Sequence, residues 1–530
     1  MSTNKPSRSL AGIAGIVAAA TLISKVFGLV REQIVAAAFG IGPVVNAYAY
    51  AYVIPGFLLI LLGGINGPFH SALVSVLAKR SKAEAAPLVE TVTTFVSGIL
   101  LLVTVALIVF ASTFIDILAP GLDPQVRAIA IEQLRIMAPL AMLAGLIGIG
   151  FGTLNASDQY WLPSISPLFS SVAIVVGVGL LMWQLGAQVN EPQYLWVGGL
   201  VLAGGTLAGA ILQWLAQLIA QWRSGMGKLR LRFNWGVPGV SDVLKVMIPA
   251  TLSSGMLHIN VYTDLFFASY IDGAAAALRY ANFIVLTPVG IISNMILVPL
   301  LPVFSRLAAP ENWTELKLRI RQGLLLTALT MLPLTAIFVA LSLPIIRVVY
   351  ERLNFDVQDS LRVAPVLAAY GLGMFFYLGR DVLVRVFYSL GDGETPFRIS
   401  ILNIFVNAVL DYLLINAFAT PGLVFATIGV NISSMVLLLW VLNRRLNGLP
   451  LGVWGVNLLG LVGCSVAAGL ACWGVFLGLE QFGTEQLIVQ ILQLGISTAV
   501  ALGVFAALVM SLKLPEVNLL ATRIRQKIGR

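Results

Sequence analysis

The sequence predicts an all-α integral membrane protein with fourteen transmembrane helices: two six-helix lobes related by a pseudo-twofold axis along the membrane normal, plus two extra C-terminal helices. Three observations predict it. Apolar runs of about 20 residues, the length that crosses a bilayer, recur almost end to end. Of 530 residues 59% are hydrophobic and only 10% charged, with a mean hydropathy of +0.95. Two stretches of the chain also repeat one another at a fixed offset. No single water-soluble core absorbs such a composition, and the runs are too long and continuous for the alternating strands of a barrel.

The spans are expected at 9–36, 44–65, 88–112, 134–152, 164–184, 194–220, 246–268, 280–304, 322–347, 363–389, 400–418, 423–442, 452–476 and 487–511. The first follows a basic stretch, MSTNKPSRSL, and lacks a small-x-small cleavage site before a polar mature chain, so it reads as an uncleaved helix rather than a signal peptide. The second, VIPGFLLILLGGINGP, is interrupted by Pro and Gly. In the fourth to sixth spans the glycines of GIGFG, GVGLL and GGTLAG suit close helix contact. The domain division is a lobe at 1–222, a cytoplasmic linker at 223–245, a second lobe at 246–446, and 447–530 holding the last two helices and a basic tail.

Basic residues orient these spans. With the N-terminus inside, one side receives 21 of the 32 Lys and Arg residues and the other receives 4. That bias predicts an even number of spans and both termini in the cytoplasm. It also accounts for much of the net charge of +9, so nucleic acid is set aside as a partner. The largest cytoplasmic loops include 221–245 and 305–321, both too short for a catalytic domain. HExxH, GxSxG and Walker motifs are absent. The two cysteines, Cys464 and Cys472, lie in an apolar stretch, and His70 and His258 belong to no metal signature. No enzyme activity, metal or cofactor is therefore expected.

The repeat pairs FGTLNASDQYWLPSISPL, from Phe151, with FYSLGDGETPFRISILNI, from Phe387, an offset of about 235 residues. The preceding outer loops and re-entering helices match in layout, each ending near Ala-Pro. Pro55 and Pro288 pair loosely as well. The offset covers six spans, an even number, so both copies keep one membrane orientation and a cavity between lobes is expected.

Charge inside such spans is expensive and points to a partner or to water. The first span carries SKVFGLVREQIV. Lys25 and Glu32, seven apart, lie almost on one face, whereas Arg31 lies about 120° round and shares its side with Ser24. At least one cation should therefore point away from the Lys25/Glu32 face. Counted from Leu10, Arg31 lies roughly 30 Å along the axis, toward the outer leaflet. Snorkelling to that interface is the alternative use for it. The seventh span carries Asp264, Arg279 opens the eighth, and the tenth carries Arg380, Asp381 and Arg385. There the i,i+4 spacing suggests that Asp381 and Arg385 satisfy each other. The eleventh carries Asp411 with Asn403 and Asn407 on nearby faces, fit either for a cation or proton or for an interhelical hydrogen bond. With Tyr48, Tyr50, Tyr52, Tyr262 and Tyr280 as approaching aromatics, the cavity suits a phosphate-bearing substrate. The two surplus helices are candidates for an apolar track.

The stretch SKVFGLVREQIVAAAFGIGPVVNAYAYAYVIP closely resembles the opening of the MurJ/MviN lipid II flippases. The likeness continues at VYTDLFFAS, LVPLLPVFSRLA and VFYSLGDGETPFRI and covers about residues 10–510. The resemblance implies translocation of lipid II, or of another polyprenyl-pyrophosphate-linked glycan, across the bacterial inner membrane by alternating access. It implies coupling to membrane potential or a monovalent ion, with membrane lipids and the cell-wall synthesis machinery as partners. Ser24, Lys25, Gly28, Arg31 and Glu32 match the family's first-span motif, and Asp264 matches an acidic site. By that likeness Lys25 and Arg31 bind substrate, supported by Ser24, Glu32, Asn46 and Asp264. Three departures stand out. No cation follows Pro55, where the family has an arginine pair; Asn46 replaces an aspartate; and Tyr280, Ala281, Asn282 and Phe283 stand where Ala-Asp-Arg is usual. Arg279, one turn before Phe283, is the candidate to restore the last charge. A drug or ion exporter of the same superfamily and a structural membrane protein are the competing readings.

Overall fold

The computed structural model describes residues 10–64, 67–77, 80–256, 259–481 and 486–512. The basic tail, Lys79 and His258 lie outside the described residues. Among the described residues twenty α-helices follow one another and there is no strand. They are α1 (Leu10–Phe39), α2 (Pro43–Gly63), α3 (Pro68–Leu77), α4 (Lys82–Val109), α5 (Ala111–Leu118), α6 (Pro124–Met137), α7 (Leu140–Ala156), α8 (Trp161–Ile165), α9 (Leu168–Leu185) and α10 (Leu195–Arg223). Then come α11 (Val240–Met256), α12 (Ile259–Ala268), α13 (Ala274–Arg306), α14 (Trp313–Ala340), α15 (Ser342–Tyr350), α16 (Val357–Ser389), α17 (Glu394–Phe418), α18 (Thr420–Arg445), α19 (Leu451–Glu480) and α20 (Leu487–Ser511).

Among the described residues, twelve helical stretches are long and apolar enough to cross a membrane. They fall on every predicted span except the first and the seventh. Those two correspond to α1, which carries Lys25, Arg31 and Glu32, and to the α11–α12 pair, which carries Asp242, Lys245 and Asp264. α11 and α12, at 17 and 10 residues, are each shorter than a helix that crosses alone. Helices therefore stand at the predicted positions, and twelve of the stretches are long and apolar enough to cross.

Local chemistry sets the ends. Ser81 and Glu84 form a capping box that starts α4, and the Asp123 side chain accepts from the Gln125 amide ahead of Pro124 to start α6. The repeat is visible in element order: α4–α5, α6–α7, a turn, α8–α9 and α10 are matched by α14–α15, α16, a turn, α17 and α18. The copies differ at their shared Ala-Pro. The first copy breaks there, between α6 and α7 at Ala138 and Pro139, whereas Pro365 sits inside the unbroken α16. A proline lacks the amide that would continue the ladder, so both outcomes are open to it.

Contacts divide the chain into two units, Met1–Ala276 with Arg352–Phe355, and Ala277–Glu351 with Asp356–Arg530. The first unit has a core of Leu62, Leu73, Leu88, Val92, Ala144, Met226 and Val243, drawn from α2, α3, α4, α7 and α11 and the start of the α10–α11 connection. In the second unit, Ile337 and Leu341 pack with Cys472 of α19 and Ala501 of α20. The two surplus helices therefore rest on α14 and α15.

Candidate substrate and ion sites

In α1 the residues from Val35 to Phe39 are buried, while Leu22, Val26 and Phe27, earlier in the helix, stay exposed. The three charges lie where one regime gives way to the other. Glu32 is buried, and Arg31 beside it donates from Nε and Nη2 to Oε1 at 3.0 and 2.6 Å. This reverses the roles read from helical spacing. Arg31, not Lys25, meets Glu32, because a long guanidinium bends across the 100° between neighbours once the carboxylate has no water. Lys25 is exposed and, among the described residues, forms no ion pair. Ser24 Oγ is buried and has no hydrogen-bond partner. The last carbonyls of α1 are closed by Asn354, whose amide donates to Ala37 and whose Nδ2 donates to Ala38.

On α2 Asn46 is buried, and its Oδ1 lacks a partner. The aromatics divide into two sets. Tyr48 shares a hydrogen bond with Thr206 at 2.9 Å and stacks on Tyr52 with centroids 5.4 Å apart. Tyr50 and Tyr280 are also buried, Tyr280 against Tyr350 at 4.9 Å. These three pack the interior and do not line an approach. Tyr52 and Tyr262 alone of the five are half-exposed, the latter edge-on to Phe57.

Asp264 of α12 and Arg279 of α13 are both half-buried. In α16 the expected Asp381–Arg385 pair does not form: Asp381 faces its neighbour Arg380 at 4.0 Å. Here, as in α1, an adjacent arginine bends round to take the carboxylate.

α17 is turned inside out. Beyond Pro396, its buried residues are Asn403, Asn407 and Asp411, one per turn, while Phe405, Val409 and Leu413 are exposed. Asn407 Nδ2 donates to Asp411 Oδ2 at 2.6 Å, and Asn403 donates to Ser434 Oγ of α18. Asn403 thus makes a bond between helices, and Asp411 makes one within its own helix. An aspartate fully enclosed in this seam is the arrangement that a cation or a proton would answer. Among the described residues, no group of three or more His, Cys, Asp or Glu side chains is placed to hold a metal ion.

Sequence reading passed over two polar clusters outside the spans' centres. Glu90, buried in α4, faces Arg232 at 3.5 Å and accepts from the Lys228 amide at 3.1 Å. The signal was a lone acid early in an apolar run. Asp392, in the turn before α17, accepts from the Thr395 amide and hydroxyl and from Arg445 Nη1 at 2.6 Å. Burial pushes its carboxyl up, but these donors together outweigh burial and hold it below the usual carboxylate range. Asp116 is held low as well, by the two hydrogen bonds from Arg127.

A sequence model described as lipid II flippase MurJ matches residues 35–512. A probable lipid II flippase MurJ of Synechocystis sp. is 64% identical over 529 residues, covering 100% of this chain and 99% of that protein. A probable lipid II flippase MurJ of Rhizobium meliloti is 30% identical over 446 residues, covering 83% of this chain and 80% of its own. Among solved structures, a lipid II flippase MurJ in an inward closed conformation aligns with a TM-score of 0.74 at 22% identity, over 94% of this chain and 99% of that one. An inward-facing multidrug transporter of the MATE family aligns with a TM-score of 0.58 at 17% identity, over 82% of this chain and 98% of its own. Both structural likenesses are to the fold.

Proposed function

This chain belongs to the lipid II flippase MurJ family, a family of transporters rather than enzymes, and from that membership we propose that it carries lipid II from the inner to the outer leaflet of the bacterial plasma membrane. The observation that carries the reading is identity of 64% along the full chain with a relative of that name. The fold supplies a many-helix membrane protein in keeping with it.

In this reading the pyrophosphate is met by Lys25 and Arg31. Lys25 is exposed and unneutralised, while Arg31 is held by Glu32 in a fixed pose with its far edge still accessible. A guanidinium that is already oriented loses less freedom on meeting phosphate oxygens. Ser24, Asn46 and Asp264 support the head group, and Arg279 contributes a further cation. Asn407 and Asp411 take up a monovalent cation or a proton that couples the cycle. The exposed apolar faces of α19 and α20 carry the polyprenyl tail. Both termini lie in the cytoplasm in this reading, which the distribution of basic residues supports.

The test is rescue of cells depleted of their own lipid II flippase, combined with an assay of lipid II at the outer surface. Wild type should rescue and expose lipid II, and Arg31→Ala and Lys25→Ala should not. A well-expressed wild type that fails to rescue would overturn the substrate and favour another polyprenyl-linked glycan.

A further inference from the structure

The connection between α10 and α11 leaves the core of the first unit at Met226 and rejoins it at Val240, both buried. Between them residues 228–235 read KLRLRFNW, with cations and large apolar side chains alternating. The segment lies stretched along the outside of α4. The Lys228 amide donates to Glu90 Oε1 at 3.1 Å, and the Arg232 amide donates to Thr94 Oγ1 at 3.0 Å. Beyond these pins, Phe233 and Trp235 pack against Phe95 with ring centroids at 6.4 and 3.7 Å. Arg80 then closes the return, donating to the Pro238 carbonyl and facing Asp242 at 3.9 Å.

A strap so firmly held still leaves Leu229, Leu231, Phe233 and Trp235 at 63%, 77%, 74% and 63% exposure. Water does not favour four such side chains along one short segment. Their level on α4 identifies what covers them. Phe95 marks the point where a polar start, with Glu84, Glu90, Thr93 and Thr94, gives way to an apolar run whose Ile99, Leu102 and Val105 face outward. That change of composition is the boundary between head groups and acyl chains. The strap's charge suits the same place. Arg232 is answered by Glu90, but Lys228 and Arg230 are exposed and, among the described residues, form no ion pair. Trp222, exposed at the end of α10, adds an interfacial aromatic.

We propose that residues 228–235 form a membrane-surface strap that binds anionic lipid head groups of the surrounding leaflet. Lys228 and Arg230 meet the phosphates, and Leu229, Leu231, Phe233 and Trp235 enter the acyl boundary beneath them.

Hydrogen–deuterium exchange of the full chain in nanodiscs tests this at the amides of Leu229, Arg230, Leu231 and Phe233. Adding phosphatidylglycerol to phosphatidylcholine discs should slow exchange there by about fivefold for each cation engaged. The slowing should vanish in Lys228→Gln/Arg230→Gln and shrink in about 0.5 M salt, while α4 exchanges as before. Equal exchange in neutral and anionic discs would overturn the proposal, as would protection that survives the double substitution. Protection reproduced by inorganic phosphate in detergent would mark a free-phosphate site and overturn it too. So would protection that needs a polyprenyl pyrophosphate and ignores phosphatidylglycerol, since the strap would then serve the substrate.

Discussion

At the scale of single residues, the Arg31–Glu32 pair has two roles that can be separated. Glu32 is almost wholly buried, so removing Arg31 takes from an enclosed carboxylate the cation 2.6 Å away, a loss of about 3 kcal/mol by comparison with other broken buried pairs. Replacing both partners removes that penalty. Arg31→Ala should therefore lower the melting temperature in detergent, and Arg31→Ala/Glu32→Gln should regain most of it. Neither should flip lipid II, because the guanidinium is gone from both. A double variant that recovered transport together with stability would show that Arg31 is only structural. Asp392 gives a residue-scale prediction in pH. Its folded carboxyl titrates below its unfolded value of about 3.9, so its stabilisation is complete above that value and fades as pH falls through the lower, folded one. Thermal unfolding of wild type and Asp392→Asn should differ at pH 7, by about 1.5–3 kcal/mol for hydrogen bonds to a charged group, and converge in acid. A gap unchanged down to pH 3 would contradict the role assigned to Thr395 and Arg445. Neither pairing was legible in the sequence. Helical spacing set Arg31 apart from the Lys25/Glu32 face, and matched Asp381 with Arg385, because it knows Cβ directions but not the reach of an arginine into a dry site.

At the scale of elements much more was legible, since continuous hydrophobicity and small residues leave direct traces. The glycines of GIGFG suit close helix contact, and a side chain at Gly148 or Gly152 would collide with Leu62 or with Leu73. GGTLAG in α10 shows the finer grain that spacing misses. A methyl group at Gly209 would strike the backbone of Ser170 in α9, whereas at Gly204 it would meet nothing within 4 Å. Gly209→Ala should therefore separate α9 from α10 and cost about 1–3 kcal/mol. Gly204→Ala should be neutral or stabilising by up to about 1 kcal/mol through helix propensity. Differential scanning fluorimetry on the two variants checks the contrast, and equal melting temperatures would refute the close crossing. The strap along α4 was written in the sequence as a period of two, yet its place was hidden. Alternation specifies an extended segment, but only the pins from Glu90 and Thr94 say which surface it follows.

At the scale of the whole molecule, α19 and α20 stand outside the repeat, so the duplicated helices owe them no internal pairing. Their attachment is narrow. α19 buries a single stripe, Trp454, Leu461, Cys464, Ser465, Ala468 and Cys472, and Ser465 Oγ donates to the Leu332 carbonyl of α14 at 2.6 Å. The remaining faces are apolar and exposed, which costs nothing in a bilayer and leaves room for a long isoprenoid chain. If these helices carry the tail, a chain ending at Leu449 should insert and yet fail to rescue flippase-depleted cells, because the head group would have to cross with its tail unsupported. Truncation also uncovers Leu341, so loss of rescue alone would not separate lost function from lost folding. A full-length variant does separate them. Gly469 approaches Ala336, with space for no more than a methyl group at 3.5 Å, so Gly469→Phe should lift α19 from α14 while leaving the twelve repeated segments in place. The expected result is normal membrane yield with lipid II exposure reduced at least tenfold. Rescue by either variant would remove the tail-carrying role from the last two helices and leave transport to the duplicated lobes alone.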